Sequence, residues 1–175
     1  MVLAATQTAG VTTNEHGNEE VQVVEFIIGD DKFAVNLFDV KEIVEASKIT
    51  PLPHAPAYIR GIIDLRGEIT TIVDLRQLLK ITKGTSADSE DQRFIVLDES
   101  VTDGKTGVVV DEVTSVLTVN VADIDQHSHG AGDDSHILGV IKKEVGERGE
   151  SKKELVIWID ISGLIREAGG VSRSV

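Results

Sequence analysis

The apolar positions fall in short β-branched runs broken by polar turns, and long helical periods are missing. Residues 21–28 read as a strand, Gly29-Asp30-Asp31-Lys32 as a turn and residues 33–35 as the returning strand of a hairpin. Asn36 suits a cap, with Leu37, Val40 and Val44 at helical spacing behind it; an irregular strand is the alternative there. Pro51, Pro53 and Pro56 remove backbone donors and fix φ, so that stretch is a loop. Residues 58–65 and 68–73 are strands joined at Arg66-Gly67. Asp74 caps a short helix carrying Leu75, Leu78 and Leu79 at i, i+3, i+4. After the polar loop 83–92, residues 93–97 and 106–110 form a second hairpin, and 117–121 alternates as a half-buried strand. Residues 126–135 are a loop. Strands at 137–141 and 155–159 flank a charged, Gly-bearing loop, and Asp160 caps Ile161, Leu164 and Ile165.

These elements repeat once. Ile59-Arg60-Gly61-Ile62-Ile63 matches Ile137-Leu138-Gly139-Val140-Ile141, and the run 72–79 matches 158–165. Upstream, Phe26-Ile27-Ile28 resembles Phe94-Ile95-Val96. Two copies are too few for a solenoid and suggest two small β-barrels, whose closure removes exposed strand edges. Each is marginal alone, so the two should share an apolar interface. The expected organisation is a disordered tail over 1–20, a first barrel subdomain over 21–86, a second over 87–166, and a frayed end over 167–175. The two subdomains form one domain over 21–166, and strand exchange between them is left open.

Composition narrows the function classes. The chain of 175 residues has no Cys, which excludes disulfides, thiolate metal sites and a Cys nucleophile. Its 17 Lys+Arg against 30 Asp+Glu give a net charge of −13, unsuited to a nucleic-acid backbone or an anionic lipid surface. It holds no apolar run of about 18 residues and begins without a basic and apolar leader pattern, so cytoplasm is the expected compartment.

Candidate chemistry is sparse. No nucleophile elbow, zinc-helix, phosphate-loop or dinucleotide motif occurs. Asp64, Asp74, Asp98 and Asp160 each end an apolar run. Without alternating long helices and a doubly wound sheet, they read as caps and turns rather than phosphoacceptors. His127, His129 and His136, with Asp133 and Asp134, form the one cluster of metal-ligand composition; a solvated polar loop is the competing reading. Gly67 permits positive φ in a tight turn, from which Arg66 would project a fork of donors suited to a carboxylate. Glu42 on an amphipathic turn and the apolar run Val108-Val109-Val110 have bland readings as well, a solvated acid and strand core.

The residues from Val40-Lys41-Glu42-Ile43 through the Pro loop to the run 58–76 resemble the signature of CheW-type chemotaxis coupling proteins. Gly107-Val108-Val109-Val110-Asp111-Glu112-Val113, Ile137-Leu138-Gly139 and Ile159-Asp160-Ile161 resemble later segments of the same family. The resemblance covers about residues 21–166. It implies a mainly β fold of two packed SH3-like five-stranded barrels with short helices. It also implies a scaffold without catalysis or cofactor, joining membrane chemoreceptor cytoplasmic tips to the regulatory domain of the chemotaxis histidine kinase. Contact with the membrane would run through the receptors. The implied coupling residues are Val40, Glu42, Ile43, Arg66, Gly67, Val108, Val109 and Val110, with Val40, Ile43 and Val109 as walls of a groove between barrels. Asp64 beside Arg66 and the long charged stretches 126–135 and 142–154 depart from the pattern. A metal-dependent enzyme built on His127, His129 and His136, and an SH3-like module for another partner such as a Pro-rich peptide, are the alternatives. The scarcity of aromatics, one Trp, one Tyr and four Phe, disfavours the latter.

Overall fold

Strands that are apolar at every position, such as Phe94–Leu97, need cover on both faces, whereas alternating strands need it on one. The computed structural model, which describes residues 10–84, 90–126, 136–147 and 149–170, meets both needs with two sheets. In chain order the strands are β1 (Val11–Thr13), β2 (Glu19–Ile28), β3 (Asp31–Asn36), β4 (Val40–Glu45), β5 (Ile59–Leu65) and β6 (Glu68–Asp74). Helix α1 (Leu75–Leu78) follows, then β7 (Arg93–Leu97), β8 (Thr106–Val110), β9 (Glu112–Asn120), β10 (Ile124–Asp125), β11 (Ile137–Val145), β12 (Lys152–Ile159) and α2 (Ile161–Gly170). One sheet has the order β4-β7-β8-β6-β5. The other runs β1-β2-β3-β12-β11-β10, with β9 on the second edge of β2. The fold is mainly β, as expected.

The sheets do not follow the halves of the chain. The hairpin β2–β3 sits among β9, β11 and β12, and the hairpin β7–β8 among β4, β5 and β6, so both sheets draw strands from either side of residues 86–87. Leaving out β1 and β10, the two sheets share one strand order, with β9, β2, β3, β12, β11 in the places of β4, β7, β8, β6, β5. The parallel pairings align them: Trp158 lies opposite Ala34 as Ile72 lies opposite Gly107. Across each hairpin Ala34 then faces Glu25, and Gly107 faces Val96. Phe94-Ile95-Val96 therefore has Val23-Val24-Glu25 as its counterpart, three residues from the match to Phe26-Ile27-Ile28 that the sequence suggests. The odd offset reverses the faces. Phe94 packs inside its own sheet with Ile63, Ile72 and Val109, while Phe26 joins the core shared by both sheets.

That shared core includes Val24, Phe26, Ile28, Phe33 and Val35 from one hairpin and Ile95, Leu97, Val108 and Val110 from the other, with Leu75, Ile161 and Leu164 from the helices. Smaller cores lie within each sheet, around Trp158 in one and Phe94 in the other. The shared interface expected from the marginal size of each half is thus present. The segment after β4 returns to β5: Thr50 exchanges both backbone hydrogen bonds with Ile62 at 2.9 Å. In the other sheet β10 meets β11 in the same way. The repeated glycines make room for these crossings. A Cβ on Gly61, whose φ is +146°, would collide with the Thr50 carbonyl oxygen, and one on Gly139 would meet Ile124 Cγ2 at 2.6 Å. Gly61→Ala is expected to cost about 3 kcal/mol and Gly139→Ala about 1 kcal/mol in denaturant unfolding, since only the former has a positive φ and its severest overlap is with backbone rather than a side chain.

Several expectations need correction. Residues 10–20 are not a tail: β1 takes the part of the β2 edge that β3 vacates at Asn36, and Asn14 closes the connecting turn by accepting from the N–H groups of His16 and Asn18. Residues 1–9 lie outside the described residues. The helical spacing at 37–44 yields one 3-10 turn, Leu37–Asp39, and then the strand β4, because pairing with β7 outweighs a short amphipathic turn. The charged stretch 142–154 is largely hairpin, with Lys143 opposite Glu154 and Glu144 opposite Lys153, favourable cross-strand pairs that a count of charges overlooks. The chain past Glu167 stays helical to Gly170, anchored by Leu164 in the core and by the Tyr58 hydroxyl donating to the Ala168 carbonyl at 3.2 Å. Residues 171–175 lie outside the described residues.

Candidate functional site

The β5–β6 turn is built for projection. Arg66 and Gly67 carry φ of +54° and +83°, the two positive values of a tight two-residue hairpin turn, and Asp64 Oδ1 accepts from the Gly67 N–H at 2.7 Å. Asp64 thereby closes the turn. The Asp64–Arg66 contact considered from the sequence does not form, and Arg66 reaches the neighbouring edge strand. Its Nη2 lies 2.8 Å from Glu42 Oε2, and its Nη1 donates to Glu42 Oε1 at 3.3 Å. This is a two-pronged guanidinium–carboxylate pair between residues 24 apart in sequence. The Arg66 side chain is 73% exposed, so the pair presents a cation that still has free donor directions.

Charged and apolar side chains line the pocket beside Glu42, and further exposed apolar side chains lie on β4, on β6 and on the turn before β4. Glu42 stands at the mouth of the five-stranded sheet with Leu65, Thr70, Val96 and Lys105. Lys105 pairs with Glu68, and its ammonium holds the Glu68 carboxyl below the usual carboxylate range. Ile43, next along β4, is exposed, and Val40 at its start is half-buried. Two exposed apolar side chains were not singled out from the sequence: Ile69, 61% exposed opposite Asp64, and Phe38, 58% exposed on the 3-10 turn leading into β4. The signal for Ile69 was its register, since the alternation that buries Thr70 and Ile72 turns Ile69 to the other face. Phe38 had no such signal, because its exposure follows from the crossing of the chain between sheets.

The other sequence candidates fall elsewhere. Val108 and Val110 belong to the shared core, and Val109 packs with Ile63, Ile72 and Phe94 inside its own sheet. Val109 is therefore core rather than a groove wall, and Val108 and Val110 are core rather than coupling surface, because β8 is covered on both faces and presents almost no surface. His127 and His129 lie outside the described residues. His136 pairs with Glu167 of α2, and among the described residues no three His, Asp or Glu side chains are grouped to hold a metal. The four aspartates that end apolar runs act as caps and turns. Asp74 accepts from the Arg76 and Gln77 N–H groups, Asp160 from Gly163, Asp98 from Ser100 and Asp64 from Gly67.

A fifth aspartate, Asp39, precedes β4 and carries a charge cost. Burial, then the nearby Asp160 and Asp98 carboxylates, push its carboxyl above the ordinary range. A carboxyl whose folded value is raised binds its proton more tightly folded than unfolded. Its penalty is therefore present above the folded value and is relieved as pH falls toward the unfolded one. Asp39→Asn is expected to raise the melting temperature at pH 7, with the gain shrinking in acid; melting curves across that range check it.

A family model described as the CheW-like domain matches residues 22–169. "Chemotaxis protein CheW" of Treponema pallidum is 33% identical over 131 residues, 72% of this chain and 75% of the relative. Its namesake in Thermotoga maritima is 30% identical over 151 residues, 85% of this chain and 90% of the relative. The crystal structure of the scaffolding protein TtCheW from Thermoanaerobacter tengcongensis superposes with a TM-score of 0.69 at 27% identity, covering 87% of this chain and 92% of that one. Among the described residues no helix is long and apolar enough to cross a membrane.

Proposed function

The chain belongs to the family of CheW-like domains, and from that premise we propose that it couples chemoreceptor cytoplasmic tips to the chemotaxis histidine kinase through the surface around Glu42 and Arg66. Chemotaxis coupling is the function of the family. On this reading the chain acts without catalysis, in an array reached at the membrane through the receptors. The observation that carries it is the pair itself. Glu42, on the edge strand β4, holds the Arg66 guanidinium by two prongs while that side chain stays 73% exposed, and Leu65 and Val96 line the same mouth as Glu42.

Such a surface suits a helical tip that presents apolar residues and a carboxylate. Apolar burial would supply most of the affinity, at about 25 cal/mol per Å², and the charges would set register and partner choice. Co-sedimentation with a receptor cytoplasmic fragment and the kinase, with each partner omitted in turn, tests the reading. Kinase is expected in the receptor pellet only when this chain is present. Kinase recruited equally without it would refute the proposal.

A further inference from the structure

The two sheets offer the same places to a hairpin, yet each holds the hairpin from the other half of the chain. The unexchanged alternative, with β2–β3 packed beside β4 and β6, pairs strands closer in sequence and avoids the crossings between β3 and β4 and between β8 and β9. Local pairing forms sooner, so something must disfavour it.

The equivalent positions differ at two pairs. In the five-stranded sheet Val96 and Leu65 line the mouth, and Val109 packs on Ile72. In the seven-stranded sheet these places hold Glu25, Lys143, Asn36 and Trp158. Glu25 is fully buried, accepts from the Thr114 hydroxyl at 2.7 Å and from Lys143 Nζ at 3.3 Å, and lies 3.7 Å from Lys32 Nζ of its own hairpin. Trp158 Nε1 donates to Asn36 Oδ1 at 2.9 Å within the core. A third pair does not discriminate, since Lys32–Glu154 has its counterpart in Lys105–Glu68. We infer that Glu25–Lys143 and Asn36–Trp158 form a pairing code that admits the β2–β3 hairpin to the seven-stranded sheet alone. In the other sheet Glu25 would take Val96's place, keeping Lys32 of its own hairpin but lying across from the Glu42 carboxylate and against Leu65, with no cation from β5. Asn36 would lie against Ile72. A buried charge that loses one of its cations and meets a like charge, or an amide that loses its donor, costs more than the same groups fully paired. The β7–β8 hairpin in the seven-stranded sheet would in turn strand Lys143 and the Trp158 N–H opposite valines.

The test uses the absence of native cysteine. Exposed Gln22 lies opposite exposed Thr118 in the exchanged fold. In the unexchanged one it would take the place of Arg93, opposite Glu45. Refolded under oxidising conditions, Gln22→Cys with Thr118→Cys should close a disulfide, and Gln22→Cys with Glu45→Cys should not. Replacing the code with its apolar counterparts (Glu25→Val, Lys143→Leu, Asn36→Val and Trp158→Ile) should raise the 22–45 disulfide in monomers by roughly tenfold or more. A cooperatively folded variant still at the parental level overturns the inference. Should that chain fail to fold, Leu65→Lys with Val96→Glu leaves the seven-stranded sheet untouched and gives the other sheet a cation for Glu25. It too should raise the 22–45 disulfide, and no rise there overturns the inference.

Discussion

A chain carrying Arg66→Ala is expected to fold and melt like its parent while its affinity for a receptor fragment falls roughly tenfold to a thousandfold, with kinase control lost. The fold should tolerate the change because an exposed ion pair contributes only about 0–1 kcal/mol. Arg66 is largely solvent-facing, and the turn is held by Asp64 and Gly67 rather than by the guanidinium. Removing the side chain deletes the fork a partner carboxylate would use and leaves that carboxylate without a counter-charge. Arg66→Lys separates the two contributions: it keeps the charge but not the two-pronged geometry, so an intermediate affinity is expected. Reconstituted receptor–kinase assays supply the measurement, and undiminished kinase control by the Arg66→Ala chain would remove Arg66 from the site.

The largest stability effect is expected at Phe26→Ala, about 3–5 kcal/mol, enough to threaten a marginal domain. Phe26 is fully buried in the core shared by both sheets and stacks on Phe33, with ring centroids 6.1 Å apart. The shared core gives this substitution a wider reach than a cavity in either sheet. Trp158 fluorescence reports the seven-stranded sheet, and far-UV circular dichroism reports both. The two transitions should shift together in the variant. A biphasic melt with only the Trp158 phase displaced would mean that the sheets unfold independently.

Much of the strand set was legible because β-branched runs and turn residues are local signals. The hairpins around Gly29 and Arg66-Gly67 and the caps at Asp74 and Asp160 follow from residues within a few positions of each other. The short strands β1 and β10 were not legible. Val11–Thr13 is a strand because β3 leaves an edge open at Asn36, and Ile124–Asp125 because Gly139 lets it approach. At the candidate site, Glu42 and Arg66 were identified through the family resemblance. Their contact spans 24 residues and needs β4 and the β5–β6 turn to meet, which spacing alone does not encode. Val108-Val109-Val110 showed the converse, an apolar run equally suited to surface or core until its neighbours are known.

The sequence by itself determined a mainly β chain with one internal repeat, its turns and caps, and membership of a coupling family. Each of these rests on contacts between near neighbours or on a motif contiguous in the chain. Only the tertiary structure decided which hairpin enters which sheet, which valines have a surface, and that Arg66 is held by Glu42 and not by Asp64. Two nearly equivalent sheets give a hairpin two homes of the same shape. The choice between them lies in a few polar partners more than a hundred residues away, buried Glu25 with half-buried Lys143 and Asn36 with Trp158.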